Sequence, residues 1–317
     1  MLKYFFKRLL VMIPMMLAIS LLVFGALELT PGDPLTAQFP PDQLVGMRQE
    51  DLDALREAAG LNDPMLVRFF RWLIAFFTGD MGYSIQTGTP ISRVISYLLP
   101  QTVILAAAAL LISTISGLIF GIIAATKHNT IWDYLASVIG VIGISMPEFF
   151  IGIVAILIFA IKLGWLPAQG RGSADATFIQ NLRYLILPAS SLGLSLAAAL
   201  TRYTRNSMMD VMNQDYVKTA RAKGLSESRV FFKHVFRNAL MPISVLIFLR
   251  LPMLIGGSVV IEQVFGYAGI GNRLLTAINS SDYQLVLTII LMLSFVALLA
   301  SLMIDLVTAL LDPRVRL

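Results

Sequence analysis

The chain has 317 residues, 57% of them hydrophobic and only 14% charged, with a formal net charge of +5. Soluble domains carry about 25% charged residues, so this composition excludes an ordinary water-soluble fold and points to a protein built for lipid. The lack of Cys excludes disulfides, two histidines (His128 and His234) offer little to a metal site, and the positive charge suits cytoplasmic loops of a membrane protein better than a nucleic-acid partner.

The opening "MLKYFFKRLLVMIPMMLAISLLVFGALELTPGDP" joins a basic start to an apolar run too long for a cleaved signal peptide. It reads as an uncleaved first span over 9–29, stopped by the two prolines and the glycine of "TPGDP". An external region follows over 31–98. Within it, "EDLDALREAAG" predicts a short exposed helix closed by Gly60. "PMLVRFFRWLIAFFTGD" tempts as a further span, but it is short and holds Arg68 and Arg71. Each Arg at mid-bilayer costs about 2.5–3.5 kcal/mol, so an amphipathic helix at the outer interface, Trp72 and phenylalanines dipping inward, is the better reading.

Five more apolar stretches are long enough to cross a bilayer: 101–126, 134–161, 184–203, 240–262 and 284–308. Gly117 and Gly121 form a G-x-x-x-G pair in the second span, a weak helix-packing signal. Pro147 predicts that the third span tilts, kinks or ends early. "GYAGIG" at 266–271 has the wrong glycine spacing for a dinucleotide site and reads as an external loop. The fold class is an all-α polytopic membrane protein of six transmembrane helices. With the N-terminus inside, the cytoplasmic segments hold Lys3, Lys7, Arg8, Lys127, Arg202, Arg205, Arg314, Arg316 and a basic patch between the fourth and fifth spans. Both termini are therefore expected in the cytoplasm.

That patch, within the cytoplasmic stretch 204–239, begins "DYVKTARAKGLSESRVFFKHVFRNALMPI" at Asp215. Its first half puts Ala220 and Gly224 one helical turn apart, a small-sided face that another surface can approach closely. After a Ser226 cap, Phe231, Phe232, Val235, Phe236 and Ala239 fall at helical spacing and can rest on the membrane boundary while Lys233 and Arg237 snorkel. A solvated loop that merely enforces topology, or an anionic-lipid contact, is the plainer alternative.

The pattern resembles the cytoplasmic EAA loop of binding-protein-dependent ABC importer permeases. Lys218-Thr219-Ala220 followed by Gly224 matches the spacing of its signature, with Lys218 in place of the usual acidic residue. That departure is shared by the dipeptide/oligopeptide/nickel branch. "GDMGYSIQTGTPISRVISYLLPQTV", "KLGWLPAQG", "VVIEQVFGYAGIGNRL" and "DLVTALLDPRVRL" resemble the first permease subunit of that branch, so the likeness covers nearly the whole chain. It implies a type I ABC importer-like fold and half of a translocation path for peptides or a related small solute. The implied partners are a second homologous permease, two ATPase subunits and an external substrate-binding protein in a bacterial or archaeal plasma (inner) membrane. It also implies that Tyr216, Lys218, Thr219, Ala220, Arg221, Lys223, Gly224 and Leu225 couple to the ATPase.

The chain lacks G-x-x-x-x-G-K-[ST], so ATP and Mg are expected on the partner subunits, and no cofactor on this chain. Arg250, in mid-span, is expected to meet the carboxylate of a substrate or to pair with Glu148 or Asp305. Glu262 and Asp305, near span ends, can reach the interface. Neither histidine has a nearby carboxylate or nucleophile that would suggest an enzyme. A self-sufficient secondary transporter would want internal repeats, which are not evident, and a membrane-anchored receptor or scaffold would make the external region the working part.

Overall fold

The computed structural model describes residues 2–29, 45–58, 60–170 and 177–311. The expected helix stop at 30–34 and the terminal Arg314 and Arg316 lie outside them. Regular structure among the described residues is helical, with an isolated bridge between Tyr83 and Pro90.

The helices are α1 (Leu2–Glu28), α2 (Gln49–Ala58), α3 (Met65–Phe77), α4 (Ile91–Thr126) and α5 (Ile131–Ser145). Next come α6 (Glu148–Ala155), prolonged by a π-helical stretch Ile156–Lys162, then α7 (Phe178–Met212) and α8 (Asp215–Ala222). The last four are α9 (Arg237–Leu249), α10 (Leu251–Val264), α11 (Ile270–Asn279) and α12 (Tyr283–Leu311). Five continuous helical stretches are long and apolar enough to cross a membrane: Phe6–Glu28, Ile91–Thr126, Phe178–Met212, Glu227–Gly256 and Tyr283–Leu306.

The expected third span is not one rod. α5 and α6 meet at a bend of 105°, and the spans number six only if this pair is counted as one. Pro147 is the cause. It pushes Met146 into extended backbone (φ −91°, ψ 129°) and cannot continue the ladder, so the chain must turn before Glu148. The fifth span is interrupted more gently at Arg250, where Pro252 lacks the amide that would bond to the Phe248 carbonyl. The glycine-rich segment expected as a loop is shorter than predicted, because Gly269 caps α11.

The chain divides into two compact units, each with its own core. One comprises Phe6–Thr102 and Ala268–Leu298. Here α2 has no buried residue and Gly60, at φ +65°, follows it, as the sequence predicts. Helix α3 is the expected amphipathic helix; part of its apolar surface meets protein, while Leu66, Phe70, Ile74 and Phe77 stay exposed. Phe69, Trp72, Leu73 and Phe76 pack with Leu287 and Leu291 of α12 and with Phe24 of α1, whose ring sits edge-on to Phe69 at 5.6 Å. Its two arginines are paired, Arg68 with Glu28 and Arg71 with Asp63 at 2.6 Å. A hairpin-like turn over 82–90 is pinned to the start of α12, where buried Ser84 donates to buried Asp282 at 2.5 Å.

The other unit, Val103–Tyr267 with both chain ends, is organised around α7. Its apolar window has a mean hydropathy of 1.6 and is 56% buried, whereas the window in α1 has 2.5 and is 11% buried. A span surrounded by protein can carry small and hydroxyl side chains that lipid would not tolerate, here Ser191, Thr201 and Thr204, all buried. The G-x-x-x-G pair does pack. A Cβ on Gly117 would lie 2.8 Å from Leu200, and one on Gly121 would lie 2.5 Å from Thr204 and 2.8 Å from the Thr201 carbonyl. Gly143 brings α5 equally near, its Cβ position 2.8 Å from Ala198.

Candidate coupling site

The basic stretch between α7 and α9 is built around α8. Gln214 starts that helix, and Lys218 Nζ reaches Asp215 in its first turn at 2.9 Å. Its end is a Schellman motif. The Gly224 amide donates to the Arg221 carbonyl at 2.9 Å and the Leu225 amide to the Ala220 carbonyl at 3.4 Å, with Gly224 at φ +76°. Left-handed backbone is open to glycine without steric cost, which accounts for Gly224 here.

This geometry corrects the expected small-sided face. Gly224 lies beyond the helix, and Ala220 is 5% exposed and points into the protein. Ala220, Val217 and Leu225 pack in one apolar cluster with Ala125 of α4, Leu200 and Met208 of α7, and Ala239 and Ile243 of α9. The outward surface includes Tyr216, Lys218, Thr219 and Lys223. Arg221 serves the loop itself, reaching Glu227 through Nε at 3.0 Å and Nη2 at 3.3 Å, which fixes the turn after Gly224.

The second half also departs from simple helical spacing. Ser226 occupies the cap position of the next turn without a side-chain hydrogen bond. From Val230 to Phe236 the helix is π-wound, and the wider turn buries Val230, Val235 and Ala239 together. Of the expected aromatic stripe, Phe231 and Phe236 stack at 6.2 Å while Phe232 is exposed. The stripe expected at the membrane boundary is therefore split, with Phe232 outward and Val235 and Ala239 inside the protein.

A polar clamp unforeseen from the sequence sits beside this cluster. Arg205 of α7 donates to Asp133 through Nε (2.6 Å to Oδ1) and Nη2 (2.9 Å to Oδ2). His128 Nδ1 lies 2.9 Å from Oδ2, and the Asn129 amide donates to the same oxygen at 3.1 Å. Asp133 and Arg205 both fall outside the apolar stretches 134–161 and 184–203. The hydrogen-bonded Arg205 guanidinium holds the Asp133 carboxyl well below the usual carboxylate range, against the upward push of burial. His128 thus does have a carboxylate partner, five residues along the chain across a turn, but the group is satisfied by an Arg and offers no nucleophile. Two residues further along α7, Ser207 donates to the Ala239 carbonyl at 3.3 Å, so α7 holds both the clamp and α9.

Arg250 and Glu148 are not brought together. Arg250 is 8% exposed and its Nη1 donates to the Leu196 carbonyl of α7. It forms no ion pair with Glu148 or Asp305 among the described residues, which removes the expected internal carboxylate partner. Glu148 is half-buried at the sharp bend, in the first turn of α6. Glu262 is buried in α10 rather than reaching toward an interface. Among the described residues no group of three or more His, Cys, Asp or Glu is placed to hold a metal ion.

Residues 117–317 match the family described as binding-protein-dependent transport system inner membrane component, and residues 1–106 match the corresponding N-terminal family. The chain is 36% identical to the oligopeptide transport system permease protein AppB of Bacillus subtilis, with 98% of each chain covered. It is 34% identical to the dipeptide transport system permease protein DppB of Alkalihalophilus pseudofirmus, both covered in full. With the glutathione transport system permease protein GsiC of Salmonella paratyphi A it shares 35% identity over 100% of this chain and 99% of that one. Among solved structures, a chain of the MetNI methionine ABC transporter in inward-facing conformations has the same fold. Its TM-score is 0.57 at 16% identity, over 70% of this chain and 98% of that one.

Proposed function

This chain belongs to the inner-membrane permease family of binding-protein-dependent transport systems and is a permease subunit of an ABC transporter; from that premise we propose that the outward face of α8 receives the ATPase that drives it. Tyr216, Lys218, Thr219 and Lys223 make the contact, while Val217, Ala220 and Leu225 pass on the displacement. ATP and Mg stay on the two ATPase subunits, and this chain does no chemistry. A second homologous permease completes the path, and an external binding protein delivers the cargo across the plasma (inner) membrane, with both termini of this chain in the cytoplasm. The cargo is a peptide or a related small solute, in keeping with relatives named for oligopeptides, dipeptides and glutathione.

The observation that carries this reading is the shared core of α8 with the ends of α4, α7 and α9. Closely packed apolar side chains do not slide independently, so a pull on α8 moves the spans on either side of it as a body. Two discrete arrangements of those spans, biased by ATP-driven closure, are then enough for alternating access.

Because the chain contains no Cys, Thr219→Cys places a single thiol on the outward face. In the assembled complex this thiol should crosslink to the ATPase subunit. Tyr216→Ala with Lys223→Glu should leave the permease in the membrane but abolish substrate-stimulated ATP hydrolysis. Normal stimulation in that double variant would end the docking assignment. For the substrate path we favour Glu148 over Arg250, since Arg250 is already engaged with Leu196. Glu148→Gln should raise KM for transport, and Arg250→Ala should lower the melting temperature of the complex with KM unchanged.

A further inference from the structure

Within the unit built on α7, an apolar groove of about 350 Å³ runs between α4, α5, α6 and α7. Phe120, Leu135, Ile139 and Leu194 line its length and Trp132 stands at one end. A cation stands at that end, where Lys127 Nζ sits 5.3 Å from the centre of the Trp132 ring, and a second borders the wall, the stem of Arg202 running 3.6 Å from where a Cβ on groove-lining Gly140 would be. Both cations have exposed heads, and neither forms an ion pair among the described residues. The nearby carboxylate, Asp133, is buried and taken by Arg205. Trp132 and Tyr134, both largely exposed, sit where aromatic side chains mark the level of lipid headgroups.

An apolar trough flanked by two exposed cations, with nearby Asp133 already neutralised by Arg205, is the complement of a chain-bearing anion. We propose that this groove holds an acyl chain of an anionic phospholipid, with the headgroup phosphate held by Lys127 and Arg202. The apolar walls supply affinity for any lipid tail, and the two cations supply the preference for negative charge. On the scale of surface basic residues, that preference is on the order of fivefold per cation.

The test uses the assembled complex in nanodiscs containing phosphatidylglycerol or phosphatidylethanolamine with a diazirine in the acyl chain, at equal mole fraction. After photolysis, the phosphatidylglycerol probe should label peptides of α5 around Ile139 several-fold more than the phosphatidylethanolamine probe. Lys127→Ala with Arg202→Ala should equalise the two probes. The charge-keeping pair Lys127→Arg and Arg202→Lys should preserve the excess, which separates lost charge from lost folding. Equal labelling in the parent chain would mean ordinary surrounding lipid, and no labelling of α5 would mean that another protein surface covers the groove. Either result overturns the proposal.

Discussion

Gly224 and Gly121 carry the same residue type for different physical reasons, and their substitutions should part accordingly. At Gly224 a Cβ meets nothing within 4 Å, so the cost of Gly224→Ala comes from the left-handed backbone alone, about 1–2 kcal/mol. Asn at the same position should recover part of it. At Gly121 the backbone is helical, and a Cβ would collide with the Thr201 carbonyl, which cannot swing aside as a side chain can. Overpacking of this kind costs about 1–3 kcal/mol. Gly121→Ala should therefore lower the melting temperature of the detergent-solubilised complex, whereas Gly224→Ala should chiefly weaken coupling of ATP hydrolysis to substrate. If Gly224→Asn recovered none of the loss seen in Gly224→Ala, the left-handed turn assigned to Gly224 would be contradicted.

Single helices here are placed by their ends more than by their propensities. α8 has only eight residues, too short to persist alone, and is held by the Schellman turn, by the Arg221–Glu227 bridge and by Val217 and Ala220 in the core. α5 is tied to α7 by the Asp133–Arg205 clamp. Asp133→Asn should cost about 1–3 kcal/mol, because it leaves a largely buried guanidinium with a weakened partner. The acid limb of stability has a definite sign. Asp133 has its folded pKa depressed, so its contribution is complete above the ordinary Asp value of about 3.9 and fades only as the pH drops through the folded value. Melting temperatures should therefore fall only as the pH drops below the ordinary Asp value, and an acid loss as large in Asp133→Asn as in the parent chain would refute the pairing.

For the whole molecule, the assignment to a permease rather than a self-sufficient carrier predicts dependence on other subunits. The solubilised chain alone should show no transport in proteoliposomes. Pull-down through a tag on this chain should recover a second permease and an ATPase pair, and loss of the latter on changing the α8 surface would tie assembly or coupling to that face. The two-unit organisation fits this division of labour. The cluster around α8 belongs wholly to the α7 unit, whereas α2, α3 and the turn over 82–90 belong to the other.

Much of this was legible in residue order because lipid is a demanding solvent. Long apolar runs and the amphipathic pattern of α3 follow from which groups can enter hydrocarbon, and the loop signature pointed to the family. Local rules also located Pro147 and Gly224 as breaks. What they could not decide was direction. Ala220 turns inward, Val235 and Ala239 enter the core instead of the membrane boundary and Trp72 meets protein, because a π-turn and packing against distant helices set which side of each helix is inside. The Asp133–Arg205 clamp was equally hidden, since its two members are far apart in the chain and only the contact between α5 and α7 makes them neighbours.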